Sequence, residues 1–329
     1  LHEPARCSPP SGLEPSVWAL GRVFEQALDP GDRRRLGAHF TPAPVARQIT
    51  SIAFDVGSWT GTDVTVCDPA VGGGAFLLAA GEELLARGLS REEIVRDRLW
   101  GIDIDPGACE VASLALALWA STEGRWVQPG EHLACADALV AGAAAFDGRR
   151  FEIVVGNPPF LGQLETATAR SAHESRDLRR RWGVDTGPYA DAAAFFLLVG
   201  HELCADDGVV ALIEPQSVLV SADAAGIREA VTGRMTVAGL WTADREVFDA
   251  SVRVCAPVLR RSRARTEVRR WVGEDAVEVA TAGPVVGDAS WAPLLADLLG
   301  VPPVEPPLAT ALGATCSATA GFRDQFYGL

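Results

Sequence analysis

The sequence predicts an α/β protein built on a doubly wound, mostly parallel sheet. Three observations carry this. First, short β-branched runs alternate with apolar helical stretches from about residue 63 to about residue 260, the pattern of βαβ units whose helices cover both faces of a sheet. Second, Val64-Thr65-Val66-Cys67-Asp68 leads straight into Pro69-Ala70-Val71-Gly72-Gly73-Gly74 and then the helical Ala75-Phe76-Leu77-Leu78-Ala79-Ala80. Strand, glycine-rich turn and helix open a nucleotide-binding unit, because glycines let a ligand approach the backbone. Third, three successive predicted strands end in acids: Asp68, then Asp103 and Asp105, then Asp137.

Residues 1–15 are rich in Pro, Ser and Glu and read as a poorly ordered N-terminus. From Ser16 to Leu28, Val17, Trp18, Leu20, Val23, Phe24 and Leu28 recur at helical spacing, opening an N-terminal helical segment expected over 16–62. The main α/β domain is expected over 63–265. Its second strand, Arg98 to Pro106, ends in Asp103-Ile104-Asp105, where an acid of a Rossmann-type unit accepts hydrogen bonds from ribose hydroxyls. Asp103 and Asp105 compete for that place. Val111 to Ala120 reads as a buried helix packed on the sheet. His132-Leu133-Ala134-Cys135-Ala136 is a third strand, and Asp137 at its end is placed to read an adenine edge. Any one of these acids fits equally well as a helix cap or turn residue.

Phe151 to Gly156 is an apolar run that ends in Asn157-Pro158-Pro159-Phe160. Proline restricts its own φ and the residue before it, so this corner is stiff and extended. It holds the Asn157 side-chain oxygen and a main-chain carbonyl in fixed directions. Two convergent acceptors suit a planar NH₂ group, and Phe160 offers a flat face for an unstacked base. The bare tetrapeptide also fits a proline-terminated strand end. Arg176, Arg179, Arg180 and Arg181 fall in a predicted loop after the corner, where a strand of nucleic acid would pass. Arg260, Arg261, Arg263, Arg265, Arg269 and Arg270 form a second cluster. Both clusters also fit ordinary solvated arginine faces.

Composition sets limits. The chain has 329 residues and a formal net charge of −14, the wrong sign for gripping phosphates. It has no lysine, which excludes a phosphate-binding P-loop, a pyridoxal phosphate Schiff base and the lysine of a common nuclease signature. The glycine spacing differs from G-x-G-x-x-G, which argues against a dehydrogenase. No uninterrupted apolar run is long enough to cross a membrane, and Leu1 opens no secretory signal. The seven cysteines include no C-x-x-C pair and read as small buried hydrophobes in a reducing cytoplasm, not metal ligands. Val301-Pro302-Pro303-Val304-Glu305-Pro306-Pro307 looks like a linker.

Together these motifs resemble the amino-group DNA methyltransferases that use S-adenosylmethionine. The match is to the N6-adenine branch with the cofactor region ahead of the catalytic motif, as in type I and type IIG restriction-modification and related phage-defence methylases. It rests on Asp68 to Leu77 as the cofactor loop, Asn157-Pro158-Pro159-Phe160 as the catalytic motif, and Leu36-Gly37-Ala38-His39-Phe40-Thr41-Pro42 as the segment that caps the methionine end of the cofactor. Asp191 to Phe196 and Gly208 to Pro215 fit the helix and strand that follow, and Val247-Phe248 resembles the segment giving a second aromatic wall. The likeness covers roughly residues 18–265. Val71 stands where cysteine is frequent, and Phe160 replaces the more usual tyrosine.

The resemblance implies a Rossmann-like class I fold with a seven-stranded, mostly parallel sheet. It implies catalysis by Asn157, Pro158, Pro159 and Phe160, with Phe160 and Phe248 lining the base pocket. It implies cofactor binding by Phe40, Thr41, Asp68, Pro69, Ala70, Gly72, Gly74, Phe76, Asp103, Ile104, Asp137, Ala138 and Asn157. Arg176, Arg179, Arg180 and Arg181 would meet the DNA backbone. The implied reaction is methyl transfer to N6 of a flipped-out adenine, with no metal and no covalent nucleophile, beside restriction or defence partners. Residues 266–329 read as an extension toward a target-recognition part that is missing or separate, with Ala318 to Tyr327 resembling its opening. Two rival expectations are a methyltransferase of protein glutamine or an RNA base amine, and a non-catalytic subunit binding cofactor or DNA.

Overall fold

The fold was analysed in a computed structural model. The structure describes residues 14–27, 40–59, 61–121, 125–160, 172–187, 190–248, 252–262, 264, 266–285 and 290–301. The expectations for residues 1–13, Leu36 to His39, Arg263, Arg265, Pro302 to Pro307 and Ala318 to Tyr327 lie outside them.

The strands are β1 (Val66–Asp68), β2 (Leu99–Asp103), β3 (Leu133–Cys135), β4 (Phe151–Gly156), β5 (Cys204–Leu212), β6 (Glu214–Pro215), β7 (Thr236–Thr242), β8 (Val254–Arg260), β9 (Val268–Val272) and β10 (Val277–Ala282). The longer helices are α1 (Glu14–Ala27), α2 (Ala43–Gly57), α3 (Ala75–Ala86), α4 (Pro106–Ala120), α5 (Ala172–Trp182), α6 (Ala192–Leu203) and α7 (Ala225–Thr232). Among the described residues these strands form one sheet in the order β10-β9-β7-β8-β5-β4-β1-β2-β3, with β6 also on β8. Pairing is parallel from β3 through β5, antiparallel around β8, parallel between β7 and β9, and antiparallel between β9 and β10.

The sheet is therefore mixed and ten-stranded, not seven-stranded and mostly parallel. It also runs on to Ala282, past residue 265. Two of the three extra strands, β9 and β10, come from Val268 to Ala282, where Arg269 and Arg270 hide a strand pattern, and the third is the two-residue β6 on β8. Arg270 is 2% exposed and donates to the carbonyls of Ala280 (2.7 Å) and Leu294 (3.1 Å). Arg269 pairs with Asp55 (2.6 Å) and Glu278 (2.9 Å). Arg261 donates to the Cys204 carbonyl (2.8 Å) and pairs with Asp206 (3.1 Å). These three arginines of the second cluster stitch the sheet together and do not form a phosphate-gripping face.

Helices cover both sheet faces. Val209, Ala211 and Ile213 join the core that holds Ile49, Ala53 and Phe54 of α2, while Val210 and Leu212 meet Gly200 of α6. On α1, Val17 and Trp18 are buried, as the amphipathic pattern predicts, but Val23, expected on the same apolar face, is exposed. α4 buries Ala112, Ala115, Leu116 and Trp119 but exposes Leu114 and Leu118, so it is half-covered rather than enclosed.

The buried guanidinium sets a stability prediction. Arg270→Ala leaves the Ala280 and Leu294 carbonyls unserved and should cost on the order of 3 kcal/mol, since charge-assisted hydrogen bonds to buried groups are expensive to lose. Arg269→Ala removes partly exposed pairs and should cost no more than about 1 kcal/mol. Urea denaturation of both variants checks this, and equal losses would refute it.

Candidate active site

β1 and β4 lie side by side and parallel, with Val66 opposite Ile153 and Cys67 opposite Val154. The glycine-rich turn after β1 and the Asn-Pro-Pro-Phe corner after β4 thus leave the sheet at one edge. The connections part here, since β1 is flanked by β2 on one side and β4 on the other, and open α/β sheets bind ligands at such points. The two strand ends approach closely. A Cβ on Gly156 would lie 2.4 Å from Asp68 Oδ1, so only glycine fits there.

The turn is held from both sides. Asp68 Oδ1 accepts the Ala70 N–H (2.9 Å), and the Gly72 N–H donates to Asp103 Oδ2 (2.8 Å). The Val71 N–H donates to the Ile102 carbonyl (2.9 Å). Gly72 and Gly74 take φ of 48° and 86°, which side chains disfavour. Pro69 and Ala70 form the descent into this turn. Phe76 is 2% exposed and packs in the core, one residue into α3.

The competing acids separate. Asp105 caps α4 by accepting the Gly107 N–H (2.9 Å), whereas Asp103 reaches the turn and also accepts the Asp105 N–H (2.9 Å). Ile104 is 56% exposed beside them. Asp137 Oδ1 accepts the Leu139 N–H (2.9 Å) and caps the short helix Ala138–Ala141, where Ala138 is buried. Burial pushes the Asp68 carboxyl up to about 8; the Ala70 N–H opposes this and the negative charge of Asp103 adds to it. Burial likewise raises the pKa of Asp103, against the N–H groups of Asp105 and Gly72.

At the corner, Asn157 Nδ2 donates to Thr41 Oγ1 at 3.1 Å, and Thr41 is buried. The Phe40 N–H donates to the Glu25 carboxylate. Pro158 is buried, and Pro159 and Phe160 are half-buried. The rings of Phe160 and Phe248 meet edge-to-face, with centroids 6.0 Å apart at 75°. The two segments predicted to line one pocket therefore touch.

The first arginine cluster is on a helix, α5, not in a loop. Its many charges hid the helix; Leu178 alone among its described side chains is buried. Arg181 pairs with Glu202 (2.9 Å) and the Val140 carbonyl (2.5 Å), which ties it to the protein body. Arg180 pairs with Asp177 (3.3 Å) and is 82% exposed, and Arg176 is exposed.

Sequence reasoning missed the contribution of α1. A Cβ on Gly73 would lie 2.2 Å from Gly21 Cα, so α1 lies directly on the glycine-rich turn. Phe24 sits on Gly107 at the start of α4, and Glu25 holds Phe40. The available signal was Gly21 itself, because glycine inside a helix costs about 1 kcal/mol and calls for a packing reason. Glu214 was missed too. It is fully buried, next to Ile213, whose N–H donates to the Gly156 carbonyl (3.0 Å). Burial and then the charge of Asp191 raise its pKa well above the usual carboxylate range. Among the described residues no group of three or more His, Cys, Asp or Glu side chains is placed to hold a metal, and no helix is long and apolar enough to cross a membrane.

Comparison with solved structures places this edge in context. The chain is similar to a cryo-EM structure of the DrdV–DNA complex at 16% identity and a TM-score of 0.66, over 87% of this chain and 34% of that one. It is similar to the modification subunit of a putative type I restriction enzyme from Vibrio vulnificus at 19% identity and a TM-score of 0.57, over 80% and 53% of the two chains. A putative class I S-adenosylmethionine-dependent methyltransferase from Listeria monocytogenes matches at 14% identity and a TM-score of 0.60, over 88% and 78%. At such identities the likeness is one of fold, and the chain spans about a third of the first protein and about half of the second. Family membership comes from the sequence: residues 18–279, from α1 to the last strand of the sheet, match the N-6 DNA methylase family, and the chain belongs to it.

Proposed function

We propose that the chain transfers a methyl group from S-adenosylmethionine to the N6 amino group of an adenine flipped out of DNA. The setting is a restriction-modification or phage-defence system in the cytoplasm, with base-sequence recognition supplied by residues outside those described or by a partner. One observation carries the reading: the Asn157 corner, the Phe160–Phe248 pair and the glycine-rich turn occupy one sheet edge, with the Asn157 amide hydrogen-bonded to Thr41.

The residues present fit this cofactor. A Cβ on Gly72 would meet only the Ala70 carbonyl, at 4.0 Å, so the turn is open on that side, and the Gly72–Asp103 contact sets an acid beside it. The glycine turn and Asp68 would hold the methionine portion, Phe40 and Thr41 its carboxylate end, Asp103 the ribose, and Ile104, Asp137 and Ala138 the adenine. When bound, S-adenosylmethionine supplies an electrophilic methyl on a sulfonium. Asn157 Oδ1 and the Pro158 carbonyl would accept hydrogen bonds from the two N6 hydrogens, drawing the lone pair out of the ring and toward that methyl, and the methylated amine would then release one proton to solvent. Phe160 stacks on the flipped base and Phe248 closes the other side, offsetting an unstacking cost of a few kcal/mol. The catalysis is positioning and electrostatics, without a covalent intermediate. Composition supports the role of Asn157: it is the single asparagine of the sequence.

The reaction is tested with labelled S-adenosylmethionine and unmethylated DNA, followed by nucleoside identification. Label should appear in N6-methyldeoxyadenosine and vanish in Asn157→Ala. Phe160→Tyr should keep most activity and Phe160→Ala should lose it; equal losses would refute a stacking role. Label in protein or RNA instead of DNA would favour the rival substrates.

Two binding predictions accompany this. Gly73→Ala should weaken cofactor binding at least tenfold by calorimetry, because its Cβ would strike α1. Gly21→Ala, whose Cβ would lie 3.1 Å from Gly73 Cα, should weaken it less. The reverse ranking would show that α1 does not close the site.

Asp68 makes the protein pH-sensitive. Its folded pKa of about 8 exceeds the unfolded value, so folding takes up a proton and stability falls as pH rises from about 4 to about 8. A cofactor ammonium favours the carboxylate, so binding below pH 8 should release a proton and tighten toward pH 8. Calorimetry in buffers of different ionisation heat reads that proton, which Asp68→Asn should abolish.

A further inference from the structure

A primary amide has one donating arm and one accepting arm, and a half-turn about its last bond exchanges them with almost no change of shape. Asn157 can act on an amine only if Oδ1 is the arm that faces it. The structure shows what selects that orientation. Nδ2 donates to Thr41 Oγ1 at 3.1 Å, which turns Oδ1 to the opposite side. Thr41 is 5% exposed and stands between Phe40, held through its N–H by Glu25, and Pro42 at the start of α2. Its hydroxyl is therefore carried by backbone tied to α1 through Glu25 and leading into α2.

We infer that Thr41 is a positioning residue that fixes the Asn157 amide the productive way round, and that cofactor binding locks this choice. The inference rests on the proposed methyl transfer. A hydroxyl carries one proton. When Thr41 gives that proton to the cofactor carboxylate, it can only accept from Asn157, so Nδ2 must face Thr41 and Oδ1 must face the substrate amine. Before the cofactor binds, the hydroxyl can donate to Oδ1 instead, and the amide can sit the wrong way round, where two donors would meet. The base pocket becomes competent only after the methyl donor is in place. A purely structural link between the start of α2 and the end of β4 would show no such dependence.

Asn157 is the chain's single asparagine, so ¹⁵N-asparagine labelling of the full chain gives one side-chain NH₂ pair in a proton–nitrogen spectrum. In the wild type, adding S-adenosylmethionine should slow exchange of the Thr41-facing proton at least threefold. Thr41→Ser, which keeps the hydroxyl, should behave alike. Thr41→Val, which keeps only the shape, should lose the protection and the cofactor effect. Its methyl transfer at saturating cofactor should fall about tenfold, while Thr41→Ser stays within about threefold of wild type. An NH₂ signal that ignores the cofactor in the wild type overturns the inference, even if Thr41→Val fails to fold. So does wild-type transfer by Thr41→Val at saturating cofactor, which would leave Thr41 as a binding group alone. Cofactor-dependent protection without any methyl transfer to DNA would instead sink the proposed reaction and keep the role of Thr41.

Discussion

The constraint on which the rest depends is the parallel pairing of β1 with β4. Because Val66 and Cys67 sit opposite Ile153 and Val154, Asp68 and Gly156 end their strands within one residue of the same level. The turn and the corner then emerge within a side chain's length of one another. The pairing leaves so little room that Gly156 must lack a Cβ, and it buries Asp68 deeply enough to raise its pKa to about 8. The neighbours are recruited in turn: β2 brings Asp103 to the Gly72 N–H, α1 lays Gly21 on Gly73, and the start of α2 brings Thr41 to Asn157. A shift of β4 by one residue would exchange the faces of Val154 and Val155 and carry Asn157 away from Thr41.

The arginines explain how an acidic chain of net charge −14 fits a family that acts on DNA. Many of them serve the protein itself. Arg47 clasps Glu82, Arg98 bridges Asp63 and Glu93, and Arg261, Arg269 and Arg270 hold the far half of the sheet. Their charge is answered locally and projects little field. On α5, the helix that follows the Asn-Pro-Pro corner, Arg176 and Arg180 are exposed, with Arg180 paired to Asp177. On the proposed reading, attraction for a phosphate backbone is confined to that edge, so electrostatics orients DNA at the site more than it adds affinity.

What the sequence revealed follows from how locally each feature is encoded. The glycine run and the Asn-Pro-Pro corner carry their backbone conformations within a few residues, so both were readable and both came to one edge. The strand-end acids were readable as a set, and the position of Asp103 at the predicted strand end favoured it over Asp105 for the ribose place, whereas the capping of α4 by Asp105 depends on contacts the sequence does not display. The seven-strand count failed in part because Arg269 and Arg270 mask β9, and burial of an arginine is settled by distant carbonyls such as that of Leu294. The contact of α1 with the turn was illegible for the same reason. Gly21 resembles any helical glycine until Gly73 is seen against it.

On the proposed reading, Asn157 must serve two partners at once. Aspartate would accept from an amine but could not donate to Thr41, and its charge would be desolvated at an edge already holding Asp68 and Asp103. Glutamine has both arms, yet its extra methylene would carry the amide past the hydroxyl now 3.1 Å away. On the proposed reading, an amide on a single methylene receives a hydrogen from an amine on one side and gives one to a hydroxyl on the other. A chain with no lysine and no second asparagine keeps its one asparagine where both arms are needed.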